Sequence, residues 1–150
     1  MDKSELILPK LFKEFTFEVE RGKIREFALA TGAADIEVYM SQEAAVNAGY
    51  RDVPVPLTFG TVPEMWKGLS FEDLIDGLNL TLARVLHGSQ SYTYHKPIFA
   101  GDHLFGKTYL VDMKQRKNLT IFSFETLFYN ESEELLLECK SVVIERGDEV

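Results

Sequence analysis

Three histidines, His87, His95 and His103, recur at intervals of eight residues and are the first candidates for chemistry. An imidazole can move protons near neutral pH or bind a metal. Metal-binding histidine pairs usually sit closer together with other ligands nearby, so this spacing points away from a shared metal site. His87 precedes Gly88 at the start of an expected strand, where a missing side chain lets another backbone or a ligand approach. His95 and His103 flank an expected turn and are read as exposed. Glu64 follows Pro63 near an expected helix start, where the helix dipole favours a carboxylate without any catalytic role. The one cysteine, Cys139, can form neither an intramolecular disulfide nor, alone, a thiolate metal site. Ser89, Ser123 and Ser141 lack a plausible Ser-His-Asp arrangement, and Gly60, Gly68 and Gly77 do not fit a phosphate-cradling loop.

These residues must be held by a single domain, expected to span 1–150. The chain has 150 residues with a formal charge of −8, from 16 basic and 24 acidic side chains. A chain this long buries roughly two-thirds of its unfolded surface and needs no disulfide or metal staple. The acidic balance argues against a generic nucleic-acid binder, which usually carries a basic face. No apolar run reaches the ~20 residues of a membrane helix. Leu6, Ile7 and Leu8 are stopped at once by Pro9 and Lys10, which argues against a signal peptide. A cytoplasmic protein with no membrane partner is the expectation.

The front of the chain reads as helical and the back as strands. Phe15, Phe17 and Val19 alternate with Thr16 and Glu18, predicting a short strand over 15–19. Ile24, Phe27 and Ala28 share one face of a helix over 20–30, with Gly32 just past its end. Ser41 can cap a short helix reaching residue 48. The run 57–66 is apolar enough for a buried helix, with Pro63 marking its start or a bend, and 71–77 could add one or two turns. Four strands follow, over 86–95, 103–113, 119–129 and 135–145. The second should present Phe105, Tyr109, Val111 and Met113 on one face. The third carries Phe122, Phe124 and Phe128 on one face and Leu119, Ile121 and Leu127 on the other, which suggests a central strand. The short links between them favour antiparallel neighbours, hence a meander. Helices on one face of an antiparallel sheet make an α+β fold. The aromatic set Phe122, Phe124, Phe128, Tyr92 and Tyr94 is read mostly as core, part of it free to line an apolar tunnel.

Three segments in order resemble the MaoC-like dehydratases, and within them the N-terminal-domain branch that includes substrate-binding subunits of (3R)-hydroxyacyl thioester dehydratases. They are the run Phe17-Glu18-Val19-Glu20-Arg21-Gly22-Lys23-Ile24-Arg25-Glu26-Phe27-Ala28, the piece Ala48-Gly49-Tyr50 followed by Val55-Pro56-Leu57-Thr58-Phe59, and the turn Pro97-Ile98-Phe99-Ala100-Gly101-Asp102. The resemblance covers about residues 15–146. It implies a hot-dog fold, a long central helix wrapped by a curved antiparallel sheet, dimerising through sheet edges. The central helix would fall near 57–66. It further implies reversible loss of water from a (3R)-hydroxyacyl thioester of coenzyme A or acyl carrier protein, with no cofactor. A base removes a proton alpha to the thioester carbonyl and an acid protonates the departing hydroxyl, help worth about 100- to 10,000-fold. A backbone N–H polarises the carbonyl.

Active members carry the pattern Asp-x-Asn-Pro-(aliphatic)-His. The corresponding stretch here is Gly32-Ala33-Ala34-Asp35-Ile36-Glu37-Val38-Tyr39-Met40, with no histidine and no Asn-Pro pair. Asp35 and Tyr39 mark what remains of that loop, and His87 is the third catalytic candidate. A His-Gly pair like His87-Gly88 is common in the branch; the histidine is either hydrogen-bonded near a dimer seam or in contact with ligand. Leu57, Thr58, Phe59 and Gly88 are the expected substrate-binding residues. The missing dyad resembles subunits that hold the acyl chain while a partner carrying the intact pattern performs the chemistry, in a heterodimer or, alternatively, a homodimer. The competing functions are an acyl-CoA thioesterase, using Glu64 as some hot-dog thioesterases use a helix carboxylate, and a non-catalytic acyl-thioester binding protein.

Overall fold

Residues 10–18 have the alternation of a strand, and the backbone extends that strand well before Phe15. In the computed structural model, which describes residues 6–147, β1 runs over Lys10–Glu18. It leads into α1 (Arg21–Thr31), whose Ile24 and Ala28 are fully buried, and Gly32 closes the helix in the left-handed conformation at φ 63°. Ser41 Oγ accepts a hydrogen bond from the Ala44 amide and caps α2 (Gln42–Asn47).

The expected helix over 57–66 is shorter and later. Residues 57–60 form turns, with the Phe59 amide bonded to the Pro56 carbonyl, and only Thr61–Lys67 is helical (α3). Pro63 lies in the first turn, where its missing N–H is an orphan anyway. At Gly68 the chain folds back so tightly that a Cβ there would lie 2.5 Å from the Glu64 carbonyl oxygen. Ser70 then opens a new helix, α4 (Phe71–Leu78), with a reciprocal capping box to Asp73. The central helix expected over 57–66 is thus reduced to α3, while α4 fills the turns expected over 71–77.

The back half is β2 (Val85–Tyr94), β3 (His103–Arg116), β4 (Leu119–Tyr129) and β5 (Leu135–Arg146). All pairs are antiparallel, in the order β1-β3-β4-β5-β2, so β4 is central as its two-faced apolar pattern implies. The expected meander fails at one joint. β2 pairs with β5 at the edge, and residues 95–102 carry the chain past two strands to β3. A short link need not be a hairpin when it runs across the end of a curved sheet. This one is stitched down: the Ala100 amide bonds the Val53 carbonyl, Val55 bonds Ile98, and Gly101 and Asp102 exchange bonds with Val19.

Side chains of β3 also depart from simple alternation. Leu104, Gly106, Thr108 and Leu110 face inward, leaving Phe105 and Val111 exposed. An irregularity between Leu110 and Asp112 shifts the register, so Met113 joins the inner face rather than sharing that of Phe105, Tyr109 and Val111. On β4, Phe122, Phe124, Thr126 and Phe128 point inward. The inner face supports two separate apolar clusters. One gathers Phe17, Val19, Ile24, Phe59, Phe128 and Leu137; the other gathers Leu74, Leu78, Leu80, Leu110, Phe122 and Phe124.

Gly106 is where β1 meets β3 most tightly: the Phe15 ring covers it, and a Cβ there would lie 2.4 Å from that ring. Phe15 in turn meets Phe128 edge to face at 5.7 Å. Gly106→Val should displace Phe15 and destabilise the fold by about 1–3 kcal/mol, as overpacking does. Urea denaturation measures it, and an unchanged midpoint would mean that the ring moves aside freely.

Candidate functional site

Between the two clusters the inner face turns polar. Cross-strand register places Thr108, Thr126, Cys139 and Tyr92 in one row and Leu110, Phe124, Ser141 and Gln90 in the next. Thr108 and Thr126 are each 3% exposed, and their hydroxyls bond each other at 2.9 Å. A cavity of about 700 Å³ lies over these rows, between the sheet and helices α3 and α4. Met65, Leu69, Phe71, Leu74, Phe124 and Val143 give it apolar walls, and Thr58, Thr61, His87 and the polar rows complete it.

Glu64 projects from α3 into this cavity. Gln90 Nε2 donates to its Oε2 at 3.0 Å. Gln90 Oε1 lies 3.3 Å from His87 Nε2, and because that oxygen can only accept, the ring donates there. Across α3, Thr61 and Tyr92 hydroxyls are hydrogen-bonded to each other. Burial raises the Glu64 pKa above its ordinary value, while hydrogen bonds from Thr126 and Gln90 and the nearby His87 hold it back. None of the residues lining the cavity is Lys or Arg. The carboxyl thus sits in a partly dry site with amide and hydroxyl partners and no fixed cation. Burial likewise pushes up the Tyr92 hydroxyl and the Cys139 thiol.

The structure separates the residues singled out from the sequence. His87 and Thr58 line the cavity. Phe59 is 2% exposed and packs edge to face on Phe27 in the first cluster, whereas Leu57 is 75% exposed; neither lines the cavity. Gly88 sits at a bulge of β2 opposite β5, and a Cβ there would lie 3.1 Å from Ile144 and Val142, so the close approach is made by the neighbouring strand. Asp35 is exposed, at φ 53°, and opens a single 3-10 turn (Ile36–Tyr39). Tyr39 is half-buried against the first cluster. Both lie outside the cavity. Of the aromatic set, Tyr92 and Phe124 line it, while Phe122 and Phe128 are core and the Tyr94 hydroxyl reaches the Pro56 carbonyl.

Gln90, Thr108, Thr126 and Ser141 were not anticipated. Small polar residues at inward positions of otherwise apolar strands are the signal that could have found them. The histidines are dispersed: His95 pairs with Glu138, and His103 borders a second depression. Among the described residues no cluster of His, Cys, Asp and Glu is placed to hold a metal ion, and no helix is long and apolar enough to cross a membrane.

A curved antiparallel sheet with helices on one face and a ligand-sized cavity beneath them is the hot-dog architecture of MaoC-like dehydratases. The sequence model of the FAS1-like dehydratase domain region matches residues 10–139, and the chain belongs to that family. A UPF0336 protein of Saccharopolyspora erythraea is 33% identical over 133 residues, covering 87% of this chain and 83% of that protein. Among solved structures, a chain of the C-terminally truncated HadBC complex, a (3R)-hydroxyacyl-ACP dehydratase from Mycobacterium tuberculosis, superposes with a TM-score of 0.75 at 26% identity, covering 93% of this chain and 98% of that one. The MaoC-like dehydratase from Rhodospirillum rubrum shares the fold at 18% identity, with a TM-score of 0.68 over 99% of this chain and 98% of that one. The thioesterase alternative finds no support in these matches.

The raised Glu64 pKa fixes a sign for the pH dependence of stability. A carboxyl with a higher pKa folded than unfolded binds its proton more tightly in the fold. Its contribution is full below the ordinary value of 4.5 and is lost as pH rises through the folded value. Glu64→Gln should therefore gain melting temperature relative to wild type increasingly above that pH and match it below. A difference that does not change with pH, measured by thermal melts in a buffer series, would mean that the carboxyl is not desolvated.

Proposed function

We propose that the chain is the acyl-holding subunit of a two-subunit (3R)-hydroxyacyl thioester dehydratase or hydratase, whose partner supplies the acid and base. One observation carries the reading. The loop that matches the family's catalytic stretch holds Asp35 in solvent and Tyr39 against the core, away from a cavity roomy enough for an acyl chain. A binding space with neither of these residues beside it supports a subunit that leaves the chemistry to a partner. The HadBC dehydratase, to a chain of which it is similar, is a complex of hydratase subunits, which supports a hydratase partner.

In this reading the thioester end of the substrate lies at the interface, where the partner's carboxylate and imidazole remove the alpha proton and protonate the leaving hydroxyl. The apolar tail enters between α3, α4 and the sheet, against Leu69, Leu74 and Phe124, with Thr58 at the rim. The partner docks along β2, an edge strand in the described sheet, where Leu86 is exposed. A second copy of this chain would use the same edge but bring no histidine to the loop.

Hydration of trans-2-enoyl-CoA, followed at the enoyl absorbance, tests the assignment. The purified chain should be inactive alone and active with a partner bearing the intact Asp-x-Asn-Pro-(aliphatic)-His pattern, by about 100-fold or more. Equal turnover by the chain alone would overturn it.

A further inference from the structure

Resting on the acyl-holding reading, one feature of the cavity goes beyond a greasy tunnel. An apolar chain would be served best by an apolar lining. Here the two hydrophobic clusters are divided by a polar belt, and a carboxyl is set into the cavity above it.

The donors around Glu64 are committed. Gln90 spends an amide proton on Oε2, and the hydrogen-bonded Thr108–Thr126 hydroxyl pair lies in the same lining. His87 fixes which way the Gln90 amide points, since its ring donates to the amide oxygen. A carboxylate has about four acceptor sites. Gln90 takes one, so acceptor capacity is left toward the cavity. The Ser141 hydroxyl lies in the same lining. The site is therefore arranged to accept a hydrogen bond from a ligand.

We propose that Glu64, oriented by Gln90 and His87, accepts a hydrogen bond from a hydroxyl on the acyl tail, so that the cavity selects tails hydroxylated beyond carbon 3 over unsubstituted ones. A plain tail would strip water from the carboxyl and replace it with nothing, and leaving a desolvated acceptor unpaired weakens binding by about 5- to 150-fold. A hydroxylated tail returns the lost bond. The hydroxyl at carbon 3 is not the one meant, because it stays with the thioester end at the interface with the partner.

The test is calorimetric binding of dodecanoyl-CoA, 3-hydroxydodecanoyl-CoA and 12-hydroxydodecanoyl-CoA to the purified chain, repeated on its complex with the partner. 12-Hydroxydodecanoyl-CoA should bind about 10-fold tighter than dodecanoyl-CoA, with 3-hydroxydodecanoyl-CoA as the control for the hydroxyl that the reaction removes. Glu64→Leu should abolish that advantage and tighten binding of the plain chain. Glu64→Gln keeps an acceptor oxygen and the shape of the side chain, so it should retain part of the preference, and it guards against a folding defect in the leucine variant. Equal binding of dodecanoyl-CoA and 12-hydroxydodecanoyl-CoA, or a preference unchanged in Glu64→Leu, overturns the proposal while leaving a partner-dependent activity intact. Failure of every acyl-CoA to bind, together with silence in the mixed hydration assay, overturns the acyl-holding reading itself.

Discussion

The sheet depends on the chain passing from its β2 edge to β3 within residues 95–102. Three strand spacings separate those strands, about 14 Å in a flat sheet, and an extended link of that size reaches about 26 Å. The passage is short enough to be held taut and long enough to bury part of itself. Ile98 and Ala100 are each 3% exposed, and the Asp102 carboxylate accepts from the Phe99 amide at 2.9 Å. Arg51 then clamps the outside: its guanidinium pairs with Asp102 and lies 4.2 Å from the centre of the Phe99 ring. Next along the chain, Asp52 binds Arg21 of α1, Gln42 of α2 and the amide of Val53. The approach to α3 is thus pinned from both sides, and α3 is what carries Glu64 over the sheet.

Because β2 is delivered to the β5 edge, Gln90 and Tyr92 come to lie in line with inward positions of β5, β4 and β3 that are far apart in sequence. The same topology that makes the crossing necessary assembles the polar belt. Division of the core into two clusters follows, and the cavity lies over the seam. The break at Gly68 contributes as well. A continuous helix would carry the chain straight on, whereas the fold-back and the Ser70 cap bring Leu74 down against Phe122 and Phe124 and close the cavity's apolar side.

Much of the fold was readable from local pattern. The caps at Gly32 and Ser41 mark helix ends because their chemistry is local, and the alternation in β4 marks a central strand because both faces are occupied. Long-range order was less accessible. A link over 95–102 looks like a hairpin connection, and only the pairing of Tyr92 with Cys139 rather than with a β3 residue shows otherwise. The shift after Leu110 exchanges faces within one strand, which no period-two reading detects. At the site, the family's loop drew attention to Asp35 and Tyr39, and these lie away from the cavity. Glu64 was visible but fully accounted for by a helix dipole, so nothing local announced its partners. Gln90, Thr126 and Ser141 become meaningful only once three strands stand side by side.

Cys139 lies at the centre of this arrangement, 1% exposed, with Tyr92 as its cross-strand neighbour and Glu64 raising its pKa further. The thiolate is the reactive form of cysteine. Here it is disfavoured twice over, by burial and by a neighbouring carboxyl. The chain's one thiol is therefore screened from solvent while the domain is folded and becomes accessible when β5 leaves the sheet. Thiol labelling of this chain is in effect a readout of whether the sheet is intact.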